Sequence, residues 1–254
     1  MNNNTVDFAT FCYKGDIHRL HQPGQFKRQV SSNYYDFNKL IVVYQNIQPV
    51  NQIPLDDLDI PTIYPLITGE SYINKILQWY NIDIVKPQYQ SDIDHHHQWK
   101  YHVVNHLLAA ACSEADYIVF ADNDCWIKNQ PCFIDKKLPS WVDKGIQLIQ
   151  NNSDCFMVSP NDGELGRKTL IMSQQMFLVK RKDFINANFN QPGFTGNIKD
   201  YDTMPEYHSM LEGRIHYHCK NVNKYRYVLS PEYRYWHFNR LTKDDLFELD
   251  YSKY

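Results

Sequence analysis

The chain has 254 residues, of which 43% are hydrophobic and 22% charged, enough for one sizeable α/β core and ordinary for a soluble globular protein. With 26 basic against 29 acidic side chains the formal net charge is −3, so no global basic field drives binding to nucleic acid or to acidic membranes. The start, MNNNTVDFATF, lacks the basic region and apolar run of a signal peptide, and no stretch approaches the roughly 18 uninterrupted apolar residues of a membrane span.

Residues 6–12 read as a first strand that ends at Tyr13-Lys14-Gly15-Asp16. After Pro23-Gly24, a helix is expected over 25–32. KLIVVYQN, 39–46, is a continuous apolar strand of the kind buried on both faces of a parallel sheet. Residues 49–65, rich in Pro and Asp, read as a loop. Ile73, Ile76, Leu77 and Tyr80 then keep helical spacing within 71–80. A short strand is expected at 82–85, and a helix from an N-cap at Asp94 to about Ser113. That helix feeds a strand over 116–121.

Strand and helix alternating in this way predict a mostly parallel sheet with helices on its faces, in a single domain. Farther on, strands are expected near 154–158 and 174–180. The Gly-containing QPGFTGNIKD precedes a helix over about 203–212, and an aromatic segment closes the chain. The six cysteines (12, 112, 125, 132, 155, 219) form no C-x-x-C pair, which fits free thiols in a reducing cytoplasm.

The chemistry concentrates in DYIVFADNDCWI, 116–127. An apolar strand ends there on two acids one residue apart. Side chains at i and i+2 of an extended segment point the same way, so Asp122 and Asp124 can reach one site. Their repulsion and desolvation are relieved by a hard divalent cation such as Mg2+ or Mn2+, with diphosphate oxygens and water filling its other positions. In open α/β sheets, ligands collect beyond the carboxyl ends of the strands, where these acids are expected. A capped or solvated turn is the bland reading of the same triplet.

The strand followed by ADND resembles the D-x-D motif of GT-A glycosyltransferases, the nucleotide-sugar-dependent type, in a loose order of elements over about 6–240. The resemblance implies a GT-A-like, Rossmann-like fold, with a nucleotide-sugar-binding half over about 6–127 and an acceptor-binding half over 128–254. It implies transfer of a hexose-type sugar from a nucleotide diphosphate donor, a UDP-sugar first, to a hydroxyl acceptor. The acceptor is a glycan by default, with modified DNA as the alternative. Asp122 and Asp124 would hold Mn2+ or Mg2+, with Asp122 and Asn123 beside the donor and His237 placed like the late histidine that completes the metal site. Tyr13, Lys14 and Asp16 would meet base and ribose, and Trp99 and Lys100 would line the donor site. Ser173, Gln174 and Gln175 would line the sugar or acceptor pocket. For an inverting reaction the base would be Glu206 or Asp202, although Thr203 and Glu206 also form a T-x-x-E capping box.

Two other readings stay open. A haloacid-dehalogenase-like phosphatase also places D-x-D after a strand, but wants Thr and an aliphatic residue next, where Cys125 and Trp126 stand. A non-catalytic carbohydrate- or nucleotide-binding module is the other. His95-His96-His97 reads as an exposed first helical turn. His216 and His218 in IHYHCK would share a strand face, as a satisfied pair or as metal ligands. KYRYVLSPEYRYWHFNR, 224–240, interleaves cations with aromatics, either as a nucleic-acid or sugar surface or as an aromatic segment packed on the sheet with its Arg tips in solvent.

Overall fold

The apolar runs expected to be central strands are neighbours in one nine-stranded sheet, β3-β2-β1-β5-β9-β7-β10-β8, with β4 also paired to β2. The computed structural model describes residues 4–13, 17–45, 58–82, 103–161, 167–173, 175–189 and 211–237. Its first half contains β1 (Val6–Tyr13), α1 (Ile17–Leu20), α2 (Gln25–Ser31), β2 (Lys39–Gln45), β3 (Thr62–Ile63), β4 (Leu66–Ile67) and α3 (Gly69–Trp79). A helix over 103–112, α4, leads to β5 (Tyr117–Ala121) and β6 (Cys125–Asn129). Then come α5 (Trp141–Asn151), β7 (Cys155–Ser159), β8 (Arg167–Thr169), β9 (Met176–Lys180), α6 (Arg181–Ile185), α7 (Leu211–Asn221), β10 (Tyr225–Val228) and β11 (Arg234–His237).

β1 is flanked by β2 and β5 in parallel, β7 pairs β10 in parallel, and β9 runs antiparallel between β5 and β7. The sheet is therefore mostly parallel, with β8 and β9 reversed, and it runs through both halves of the chain. Alternate residues of the central strands enter opposite cores. Phe8, Val42 and Val119 join Phe26 of α2 and Trp141 of α5 on one face. Ala9, Ile41 and Phe120 join Leu77 of α3, Leu107 of α4 and Ile215 of α7 on the other. Helices on both faces explain why these strands read as continuous apolar runs rather than alternating ones. Backbone packing is close at Gly145 of α5, where a Cβ would lie 2.7 Å from Leu178 Cδ2 of β9.

Several expectations need correction. The 49–65 loop yields to the short strand β3 at its end. His216 and His218 lie on α7, not on a strand, and that helix runs to Asn221 instead of stopping near Glu212. Ile82 lies outside any strand, while 83–85, the rest of the expected strand, lie outside the described residues, and α3 ends where Asn81 takes φ 52°. The sequence reading overlooked α5, although Ser140 caps it in a full capping box with Asp143. It also overlooked the two-stranded ladder of β6 and β11. Positions 94–102 and 203–210, with His95, His96 and His97, lie outside the described residues.

Candidate active site

Because β1, β2, β5, β7 and β10 point the same way, their last residues share one edge of the sheet. Tyr13 ends β1 there, and Asp122 follows β5. Gln175, which precedes the reversed strand β9, reaches the same edge.

The turn 122–124 is braced from three sides. Asp122 N donates to Gln175 O at 2.7 Å, which extends the β5–β9 ladder by one bond. Asn123, itself buried, donates from Nδ2 to Phe11 O at 2.9 Å, so a side-chain amide continues the β1–β5 edge after the backbone has turned away. From α2, Gln29 donates through Nε2 to Asp122 O at 2.6 Å and to Cys125 O at 3.1 Å. Cys125 N closes the turn on Asp122 O at 3.0 Å. Behind it, Tyr235 of β11 donates its hydroxyl to Gln175 Oε1 at 2.7 Å. Each bond is short and mostly shielded from water, where losing a partner costs about 1–3 kcal/mol.

The electrostatics converge on this turn. Asp124 is only 7% exposed. Beside it the Cys125 thiol is held well above its ordinary range, first by burial and then by the negative charge of Asp122 and Asp124. Asp122 and Asp124 stand in a tight turn, not in the extended segment expected from the sequence, and both are the oxygen-donor type that suits a hard divalent cation. Among the described residues no group of three or more His, Cys, Asp or Glu side chains is placed to hold an ion. A cation here would draw one or two carboxylates from the described side chains, with ligand oxygens, water or a further side chain completing its sphere.

The backbone places Asp122, Asn123, Asp124 and Gln175 at one turn, Tyr13 at the end of β1 on the same sheet edge, and Ser173 in the loop before β9. Backbone register sets His237 opposite Cys125, one residue past Asp124. Lys14, Asp16, Trp99, Lys100, Gln174, Asp202 and Glu206 lie outside the described residues. Gln29 and Tyr235 were missed in the sequence. Gln29 left one signal: with Phe26 and Val30 it shares the buried stripe of α2, a polar residue in an apolar helical pattern.

The other sequence candidates are occupied by structural bonds. His216 Nδ1 lies 2.8 Å from Leu170 O, and His218 Nδ1 accepts from Asn188 N at 3.2 Å. Two residues apart on a helix, their side chains point about 200° apart. In the aromatic segment, Tyr233 and Tyr235 are buried and Tyr227 donates to Asp154 at 2.8 Å. Arg226 is buried too, with Nε on Ser159 Oγ at 2.6 Å, which corrects the expectation of a solvent-facing Arg tip at that position, whereas Arg234 is exposed as expected.

No protein-family model matches the chain, and no curated protein sequence matches it. Among solved structures it is similar to a CMP:2-keto-3-deoxy-manno-octonic acid synthetase complexed with CTP, at 8% identity and TM-score 0.47, over 89% of each chain. It is also similar to HddC from Yersinia pseudotuberculosis, at 7% identity and TM-score 0.45, over 95% of this chain and 96% of that one. Likenesses this distant carry no argument about activity. The fold class rests on the strand order itself: a mixed α/β sheet, mostly parallel and flanked by helices.

Proposed function

We propose that the protein is a metal-dependent glycosyltransferase that moves a hexose-type sugar from a nucleotide diphosphate sugar to a hydroxyl acceptor. The observation that carries this reading is the Asp122–Asn123–Asp124 turn at the carboxyl end of β5, which bears two acids one residue apart and is braced by Asn123, Gln29 and Gln175. Mn2+ or Mg2+ bound there would neutralise charge developing on the departing diphosphate. Asp122 and Asp124 are the ligands, and His237 is a third, favoured by its register opposite Cys125.

The chain's own groups divide the remaining work. Tyr13, with Lys14 and Asp16 after it, receives the base and ribose beyond β1, and Trp99 and Lys100 complete the donor side. Ser173, Gln174 and Gln175 orient the sugar against the acceptor, which is a glycan first and DNA second. Glu206, or Asp202 in its place, takes the proton from the acceptor hydroxyl in an inverting transfer.

A screen of UDP-, GDP- and TDP-sugars tests this, read as Mn2+-dependent hydrolysis and as a rise in melting temperature. A donor at 100 times its Kd adds about 2.7 kcal/mol of stability. Silence in both readouts for every donor would overturn the proposal. For the base, Glu206→Gln keeps a capping bond but lowers kcat by about 100-fold or more if Glu206 accepts the proton. An unchanged kcat moves the role to Asp202, checked by Asp202→Asn.

A further inference from the structure

Exposed apolar side chains gather where β6 runs out. Ile134 is 88% exposed, with Phe133 at 43% and Leu138 at 45% in the same short loop and Tyr34 at 40% beside them. Tyr34 meets Phe133 edge-on at 6.4 Å between ring centroids. It does so from φ 50°, a backbone conformation rare for a residue with a side chain.

The loop is not a slack connection. Ile134 N and Asp135 N both donate to Pro131 O, and Leu138 N donates to Asp135 O. Cys132 is buried beneath it. Fully buried Gln130 rivets its base, donating to Ser32 O at 2.9 Å and accepting from Trp141 N at 2.9 Å. These bonds fix a folded projection that holds its apolar side chains out in water, which a soluble protein rarely does without a partner.

The charge around the tip narrows the partner. Lys136 and Lys137 follow Ile134 within three residues and are exposed, as is Lys128 at the end of β6. The one acid in the loop, Asp135, accepts from Lys137 N at 3.0 Å. An aliphatic tip, two aromatic rings at its shoulder and a lysine pair match the layers of an anionic bilayer surface: acyl boundary, interface and headgroups. A protein partner would need a socket shaped to a projecting isoleucine, whereas a bilayer deforms around one.

We infer that the 131–138 loop, with Tyr34, docks this protein on an anionic lipid bilayer by shallow insertion of Ile134 and Phe133. The attachment proposed is shallow and made by side chains of one loop; among the described residues no helix is long and apolar enough to cross a membrane. β6 leads from the acidic turn toward this loop, seven residues from Asp124 to Pro131, or at most roughly 23 Å at about 3.3 Å per residue. The inference goes beyond the proposed transfer reaction and does not depend on it.

Co-sedimentation of the full chain with vesicles tests it without any enzymatic readout. The protein is expected to bind vesicles of mixed phosphatidylcholine and phosphatidylserine and to ignore pure phosphatidylcholine. Ile134→Asp and Phe133→Asp should each weaken binding about tenfold or more, from lost apolar insertion. Lys136→Glu with Lys137→Glu should do as much, at about fivefold for each basic charge removed near an anionic surface. Val222→Asp, at an exposed site just past α7, should change nothing. All these side chains are exposed, so the cooperative melt should be kept; if an apolar variant loses it, the lysine pair carries the test. Absence of binding to mixed vesicles, or binding indifferent to Ile134→Asp, overturns the inference. A dimer that dissolves in Ile134→Asp, without vesicle binding, overturns it in favour of a protein contact.

Discussion

The 122–124 turn and helix α7 each carry a cluster of metal-capable side chains, and they use them in opposite ways. On α7 the imidazoles themselves do the bracing: His216 meets Leu170 O, and His218 takes the Asn188 N–H. Cys219 lies beneath them, its thiol pushed up to about 12 chiefly by burial. At the turn, the backbone and the Asn123 amide carry the scaffold bonds, through Gln29, Gln175 and Phe11 O. Side chains that serve as structural fasteners are poor ligands, because binding a metal would break the bond that places them. At the turn the fastening falls mainly to backbone atoms and neighbouring amides, with Asp124 Oδ1 also accepting from Cys125 Sγ at 3.8 Å.

The strongest way to break this contrast is to remove the acids. Asp122→Ala and Asp124→Ala should each lower Mn2+-dependent sugar transfer by about 10³-fold or more, since the ion neutralises charge worth several kcal/mol in the transition state. Urea midpoints of the metal-free variants separate a lost ligand from a lost scaffold bond, since Asp124 Oδ1 also accepts from Cys125 Sγ. Full metal-dependent turnover in either variant would remove the metal from the site.

Asn123→Ala attacks the scaffold instead. Loss of the buried bond to Phe11 O should cost about 1–3 kcal/mol by chemical denaturation, and Mn2+ affinity should fall with it. A stable variant with unaltered Mn2+ binding would show that the turn holds its shape without β1. His237→Ala is milder, with an expected loss of about tenfold in Mn2+ affinity, the size of a missing ligand-sphere contact. Titration by calorimetry reads that change directly, and an unchanged Kd would limit the ligands to the two acids.

On the α7 side, His216→Ala should cost about 1 kcal/mol of stability through its bond to Leu170 O, with no change in Mn2+ affinity. Weaker Mn2+ binding in that variant would erase the distinction between the two clusters. The smallest effect concerns pH. Burial, and then the charge of Lys224, hold the folded pKa of His218 below its ordinary 6.5, against a weaker opposite pull from Asp183. Above that value neither state holds the proton. As pH falls below it, the unfolded chain takes up a proton that the folded chain resists, so stability declines on acidification. His21, lowered by burial as well, acts in the same direction. His218→Gln should therefore flatten the decline only in part, as measured by urea midpoints across the acidic range.

The sequence alone determined the elements whose signal is local. β2 and β5 announced themselves because strands covered on both faces are largely apolar, β1 showed the same pattern interrupted by the buried Asp7 and Thr10, and 122–124 stood out because acids at the end of such a run are anomalous. α5 was equally legible, from Ser140 and Asp143 in a capping box ahead of an apolar stripe, and was overlooked rather than hidden. What only the tertiary structure decided are relations between distant positions. Tyr225 to Val228 is a strand because it finds β7 and β8, and IHYHCK is helical because its buried side chains pack against the sheet. The antiparallel course of β9 brings Gln175 to Asp122, and the pairing of β6 with β11 carries the backbone of His237 to Cys125 across more than a hundred residues. Gln29 and Asn123 could not be read as partners of the turn, because a buried amide shows its hydrogen bonds only once the chain has closed around it. Periodicity and local repulsion are written in consecutive residues, whereas strand pairing and buried polar bonds are settled by long-range packing.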